Sequence, residues 1–227
     1  MNDLSFDPDI FSGRVRLFPV PQLVMFPHVM QSLHVFEPRY RSLLSHALRD
    51  DQLIAMPVLA SGPKIACSLP PLEPVACLTK IISHQRFGNG RSNLLVAGVA
   101  RIRLLDELPP DEMYRQARAE ILFEHSSCAS SEETATMRTV LVAAFKKQLT
   151  KQVEDLACLD DLLDRQVSLS VLTDLIAHTL ELDWATKLQL LSDSDVDGRV
   201  ARLRERLVES VVGLVGASQF PPDFSAN

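Results

Sequence analysis

Apolar positions recur along the chain with two different periods, and the change of period falls near residue 125. Before it the runs are short and either alternate or are wholly apolar, as strands do; after it they keep the three-and-four spacing of helices. Arg14 to Val20, Gln31 to Val35 and Leu53 to Leu59 have strand length. Val75 to Gln85 and Ser92 to Leu105 predict a hairpin joined across Phe87-Gly88-Asn89-Gly90-Arg91, whose two glycines accept positive φ. The alternation Arg101-Ile102-Arg103-Leu104 turns one face of its second arm to a core and the other to water. Tyr114 to Phe123 closes the set, with Ala117, Ala119 and Ile121 on one face. Beyond it Met137, Val140, Leu141, Ala144, Phe145, Leu149, Val153 and Leu156 hold helical spacing for about seven turns. Further helices are predicted from Leu169 to Leu180, from Trp184 to Leu191 behind Asp183 as cap, and from Val196 to about Leu214. Ser130/Glu133 and Ser194/Asp197 stand in capping-box spacing.

The stretch from Leu17 to Leu48 carries the most local information. Phe18-Pro19 and Phe26-Pro27 hold the backbone extended or turning, because a proline ring clashes with α-helical geometry at the preceding residue. Pro38 then suits a first helical turn, where its missing N–H costs nothing. Tyr40, Leu43, Leu44, Ala47 and Leu48 repeat on one face of a helix running to about Arg49.

These elements predict a leader over 1–12, a β domain over 13–125, an α-helical domain over 126–214 and a disordered tail over 215–227. The serines of 124–131 mark the boundary. Ser61-Gly62-Pro63 is expected to turn, and residues 66–74, with Pro70, Pro71 and Pro74, to form a loop.

The order Leu17-Phe18-Pro19, Val24, Phe26-Pro27, then Leu33-His34-Val35-Phe36-Glu37-Pro38-Arg39-Tyr40 and an amphipathic helix resembles the start of the Lon protease N-terminal (substrate-binding) domain, in its stand-alone bacterial form. The resemblance continues through 75–81, 96–103 and 114–121 and into the helical half, covering nearly all of 14–210; it departs at Ala76, where many members carry glycine. It implies an α+β fold: a PUA-like antiparallel β pseudo-barrel with one or two helices, followed by a C-terminal α-helical bundle. It also implies contact with unfolded or tagged polypeptides.

Composition narrows the function classes. Net charge is −6, and residues 1–125 balance 13 basic against 13 acidic side chains, so the acidic excess lies beyond them. A neutral or acidic surface releases few counterions on a phosphate backbone, which disfavours broad nucleic-acid binding. Met1 to Phe11 has no apolar signal region, no apolar run reaches the ~18 residues of a membrane span, and the expected location is the cytoplasm. Cys67, Cys77, Cys128 and Cys158 are scattered and read as reduced, buried side chains.

No G-x-x-x-x-G-K-[ST], G-x-S-x-G or H-E-x-x-H string occurs, so neither the ATPase nor the Ser-Lys protease module of full-length Lon is expected, nor any catalytic residue, cofactor or metal. The six histidines lie in different predicted elements. The expected function is that of a non-catalytic polypeptide-binding module, an adaptor or regulator in protein quality control. Its expected partners are unfolded polypeptide or a partner protein such as a protease or chaperone, with a homodimer as a further possibility.

The candidate polypeptide-binding residues are Leu23, Met25, Phe26, Met30, Phe36, Glu37, Arg39 and Tyr40. Two readings stand for them. The apolar residues either pack a core or form an exposed surface for which flexible Met is suited. Glu37 and Arg39 either mark a groove mouth or serve the helix start, with Glu37 as cap and Arg39 pairing locally. The alternative function is RNA or nucleotide binding through Arg86, Arg91, Arg101 and Arg103 beside Phe87.

Overall fold

The computed structural model describes residues 6–60, 69–126, 131–149 and 167–216. The expected turn at Ser61-Gly62-Pro63, the start of the 66–74 loop, Ser130 as cap, the end of the long helix at Val153 and Leu156, Cys67, Cys128, Cys158 and residues 217–227 of the expected tail lie outside them. Six strands form one antiparallel sheet: β1 (Arg14–Arg16), β2 (Met30–Val35), β3 (Leu53–Leu59), β4 (Leu72–Arg86), β5 (Ser92–Glu107) and β6 (Gln116–Leu122). There are five α-helices among the described residues: α1 (Pro38–Ala47), α2 (Ser131–Leu149), α3 (Leu169–Thr179), α4 (Trp184–Ser192) and α5 (Val196–Gly216). The fold class is α+β, as expected, and the sheet is curled into a half-barrel. None of these helices is long and apolar enough to cross a membrane.

The sheet runs β1-β6-β5-β4-β3, with β2 also on β5. β5 changes partner along its length: Ser92 to Ala97 pair with β2, and Arg101 to Glu107 with β6. Past β1, the bridge Leu17↔Ala55 and the bond from Phe18 N to Ala55 O (2.8 Å) bring the chain back to β3 and curl the sheet on itself. Val15, Leu17, Leu53, Ala55, Ala76, Leu78, Ile102, Ala117 and Ala119 meet inside. The Ala76 methyl is fully buried there.

Gly98 sits at the change of partner. Its N–H donates to Val29 O and its carbonyl accepts from His28 N, both at 2.9 Å, and a Cβ on it would lie 2.1 Å from the carbonyl oxygen of Phe26. Backbone occupies the place of a side chain. Gly98→Ala is therefore expected to displace the 26–29 loop and to lower stability by about 3 kcal/mol. A fall in the urea midpoint at unchanged m-value would report it, and an unaltered midpoint would contradict the contact.

By contacts the chain forms two units, Met1–His125 with Asp174–Asp195, and Ser126–Thr173 with Val196–Asn227. Where the sequence suggested a single change of domain after residue 125, the second part of α3 and all of α4 belong with the sheet. Arg101 supplies the physical reason. Only 1% exposed, it reaches from β5 to Asp174 and to the α4 carbonyls of Leu190 and Leu191. In the other unit α2 and α5 pack through Leu141, Phe145, Val200, Leu203 and Leu207, all buried. There a buried Arg199 donates to Thr173 Oγ1 (3.2 Å) and Ser170 Oγ (3.3 Å).

Candidate functional site

The eight candidate residues divide three ways. Met25 and Phe26 have no exposed surface, so the core-packing reading holds for them, and as contacts for a polypeptide they are corrected to core. The cause is the Phe26-Pro27 bend: it tucks the loop beneath Gly98 and turns Val24, Met25 and Phe26 inward. Leu23 is half-buried. Met30 (57% exposed) and Phe36 (54%) follow the outward parity of β2, and the Phe36 ring stacks with His34. Glu37, Arg39 and Tyr40 form the third set, at the start of α1.

Pro38 opens α1, and Glu37 occupies the cap position with extended backbone but makes no side-chain cap bond. Its carboxylate accepts instead from Arg39 Nε at 2.9 Å, so Glu37 as capping group is corrected to Glu37 as partner of Arg39. The Arg39 guanidinium lies 4.4 Å from the centre of the Tyr40 ring. Tyr40 in turn packs on Phe18 at 4.3 Å between centroids and donates its hydroxyl to Pro19 O at 3.4 Å. Burial raises the Tyr40 phenol above its ordinary pKa, so it stays neutral.

Arg39 and Tyr40 line a groove of about 250 Å³. Leu17, Tyr40 and Tyr114, all buried, belong to its lining with Pro19 and Pro110; Leu69 (60% exposed) and Met113 (66%) add large apolar side chains that face water. Arg39, Arg115, Glu107 and Glu112 add charge of both signs, with Arg115 held by Glu107 (Nε to Oε2, 2.7 Å) and by Pro70 O (2.9 Å). Such a groove can take an apolar side chain and satisfy the peptide on either side of it. The sequence reading passed over Leu69, Met113 and Pro110. The available signal was a lone Met after Pro109-Pro110-Asp111-Glu112, an apolar residue in a turn that offers it no core.

A second hollow, about 380 Å³, lies between α1 and the β4–β5 hairpin. Arg41, Ser42, Ser45, His84, Arg86 and Ser92 give it polar walls over Leu44 and Leu48.

The four arginines considered for RNA do not share a surface. Arg101 is buried, with Nη1 on Glu124 Oε1 (2.6 Å) and Asp174 Oδ2 (3.0 Å) and Nη2 on Asp174 Oδ1 (2.5 Å). Burial alone would lower its pKa; the bonded Asp174 and then Glu124 more than offset that, and the guanidinium stays charged. Arg103 pairs with Glu120 at 3.1 Å. Arg86 faces the α1 hollow. The Cys77 thiol is fully buried and its pKa pushed well up, which leaves it protonated and inert. Burial and then Lys187 hold His178 below the usual imidazole pKa, so it is neutral at pH 7. Among the described residues no group of three His, Cys, Asp or Glu side chains is placed to hold a metal ion.

Residues 14–209 match the family model described as the ATP-dependent protease La (LON) substrate-binding domain. Among curated proteins the chain is similar to Lon protease of Anaeromyxobacter dehalogenans (strain 2CP-C), 24% identical over 196 residues that cover 84% of this chain and 22% of that protein. It is similar also to Lon protease 2 of Herpetosiphon aurantiacus, 28% identical over 198 residues, 86% of this chain and 24% of that protein. The chain thus spans about a quarter of the length of these relatives. Among solved structures, the N-terminal domain of Mycobacterium avium complex Lon protease superposes with a TM-score of 0.64 at 17% identity, over 86% of this chain and 98% of that one. The Lon N-terminal domain protein from Xanthomonas campestris gives 0.58 at 20% identity, over 88% and 97%.

Proposed function

The chain belongs to the ATP-dependent protease La (LON) substrate-binding domain family, and from that premise we propose that it binds unfolded polypeptide in the groove beside Tyr40. The observation that carries this reading is the pairing of exposed Leu69 and Met113 with a fixed apolar lining of Leu17, Tyr40 and Tyr114. Exposed large apolar side chains around a preformed hollow lose water when a partner side chain enters, and Met adapts to differently shaped ones. Tyr40 is held by Phe18 and Pro19, so ordering the site costs little on binding. On this reading Arg39 at the rim offers a donor to carbonyl groups of an extended chain and Glu112 an acceptor to its N–H groups, while Arg115 is taken up by Glu107 and Pro70 O. Met30 and Phe36 offer a lesser apolar surface elsewhere on the same unit.

On this reading the protein performs no bond chemistry of its own. It acts as an adaptor or regulator in protein quality control, in the cytoplasm, for a protease or chaperone partner. Labelled, permanently unfolded peptides rich in Leu and Phe test the groove by fluorescence anisotropy. Met113→Glu and Leu69→Glu should each weaken binding by about tenfold or more, as loss of an apolar anchor does. Both positions are exposed, so the melting temperature should not move. Undiminished binding by a folded double variant would remove the groove from consideration.

A further inference from the structure

The hollow between α1 and the β4–β5 hairpin is lined by two arginines, a histidine and three serines, and no carboxylate is among its lining residues. Arg41 and Ser45 stand four residues apart on α1, and Arg49, in the turn just past its end, donates to Ser45 Oγ at 2.8 Å, which adds a third guanidinium beside it. Across from them Arg86 and Ser92 form a register pair of the hairpin, and His84 lies two residues back along β4. Arg41 rests its guanidinium where a side chain on Gly90 would be; the left-handed φ of that glycine (78°) and its missing Cβ make the room. Neither Arg41 nor Arg86 forms an ion pair among the described residues. Six other arginines of this unit, Arg16, Arg39, Arg101, Arg103, Arg115 and Arg118, hold carboxylates, while Arg14 and Arg49 donate to the neutral acceptors Gln116 Oε1 and Ser45 Oγ. Two unpaired guanidiniums over serine hydroxyls supply convergent donors and no competing acceptor charge, the arrangement that recognises a carboxylate or phosphate.

The hollow and the groove share the first turn of α1. Pro38 and Arg41 line one, Arg39 and Tyr40 the other. A helix is about 10 Å across and an extended chain advances about 3.4 Å per residue, so three or four residues separate the two stations. We propose that the Arg41–Arg86 hollow binds the carboxylates of the same polypeptide that fills the groove, so that apolar segments flanked by acidic residues are the preferred ligands. This rests on the polypeptide reading above and adds to it a ligand class.

Two labelled peptides test it, one apolar segment followed after three residues by a run of glutamates and the same peptide with glutamines. The glutamate peptide is expected to bind about tenfold more tightly at low salt, the worth of one partly exposed charge-assisted contact. The advantage should vanish with added salt, with millimolar inorganic phosphate, and in the Arg41→Gln/Arg86→Gln variant. That variant should keep the native affinity for the glutamine peptide. Equal affinities, or an advantage that survives the double substitution, overturn the inference and leave the groove standing. Failure of both peptides to bind overturns groove and inference together. Phosphate that raises the melting temperature through Arg41 and Arg86 without any glutamate preference assigns the hollow to a free small anion. Single-stranded RNA that binds there in place of the glutamate peptide assigns it to nucleic acid; either result overturns the polypeptide source.

Discussion

Phe26→Asp is expected to abolish the cooperative folding of the sheet unit, and with it any binding. The ring has no exposed surface, and the carbonyl of the same residue lies so close to Gly98 that the loop cannot swing outward to hydrate a new charge. Removing a buried phenylalanine alone costs about 3–5 kcal/mol in transfer and cavity. An unpaired buried carboxylate adds several more or forces itself protonated. Against a total stability of about 5–15 kcal/mol, the sum is sufficient to unfold the unit at room temperature. Circular dichroism should show no cooperative melt, with the protein largely insoluble. Phe26→Leu, which keeps most of the volume, should cost less than about 1.5 kcal/mol and retain peptide binding. A native melting curve for Phe26→Asp would mean that the loop opens, and would return Met25 and Phe26 to the list of contacts.

The same loop marks where sequence reasoning succeeds and where it stops. The Phe-Pro pairs impose extended or turning backbone wherever they occur, so the strand–loop–strand–helix order of 14–48 was legible from local sterics. Which side of the loop meets the sheet depends on Gly98, seventy-odd residues away in the chain, and no local pattern encodes that close approach. Alternation in Arg101-Ile102-Arg103-Leu104 correctly put Ile102 in the core and opposed it to its neighbours. It also suggested that Arg101 faces water, because a period-two pattern registers only the two faces of the sheet and not a helix laid over the second one. Asp183 as the cap of α4 was readable because it is local: its carboxylate accepts from Thr186 N at 2.9 Å. The groove was half legible. Arg39 and Tyr40 follow from the start of α1, while Leu69 and Met113 reach it from two other loops, through tertiary placement.

Arg101→Ala carries the other large expected effect, and it separates two kinds of loss. Asp174 is fully buried and takes two bonds from the guanidinium, Glu124 takes another, and the last turn of α4 ends on it through the carbonyls of Leu190 and Leu191. Deleting Arg101 takes from the buried Asp174 carboxylate its bonded cation and leaves His28 Nε2 at 4.0 Å, and the loss of one member of a buried pair costs about 3–5 kcal/mol. Replacing both members with apolar residues of similar size removes the desolvation cost together with the attraction. Arg101→Met/Asp174→Leu should therefore recover more than half of the loss, and urea titrations of the two singles and the double measure the coupling. If instead the double is as unstable as Arg101→Ala, the α4 carbonyls, not Asp174, are the main partners. Hydrogen exchange distinguishes where the loss falls. The 174–195 segment meets the strands through this side chain and through the packing of α4, with Leu180, Leu190 and Leu191 buried, so its amides should lose protection in Arg101→Ala before those of β4 and β5 do. Uniform loss across the sheet would show that α4 and the barrel open as one cooperative unit, with Arg101 acting as part of their common core and not as a tether between them.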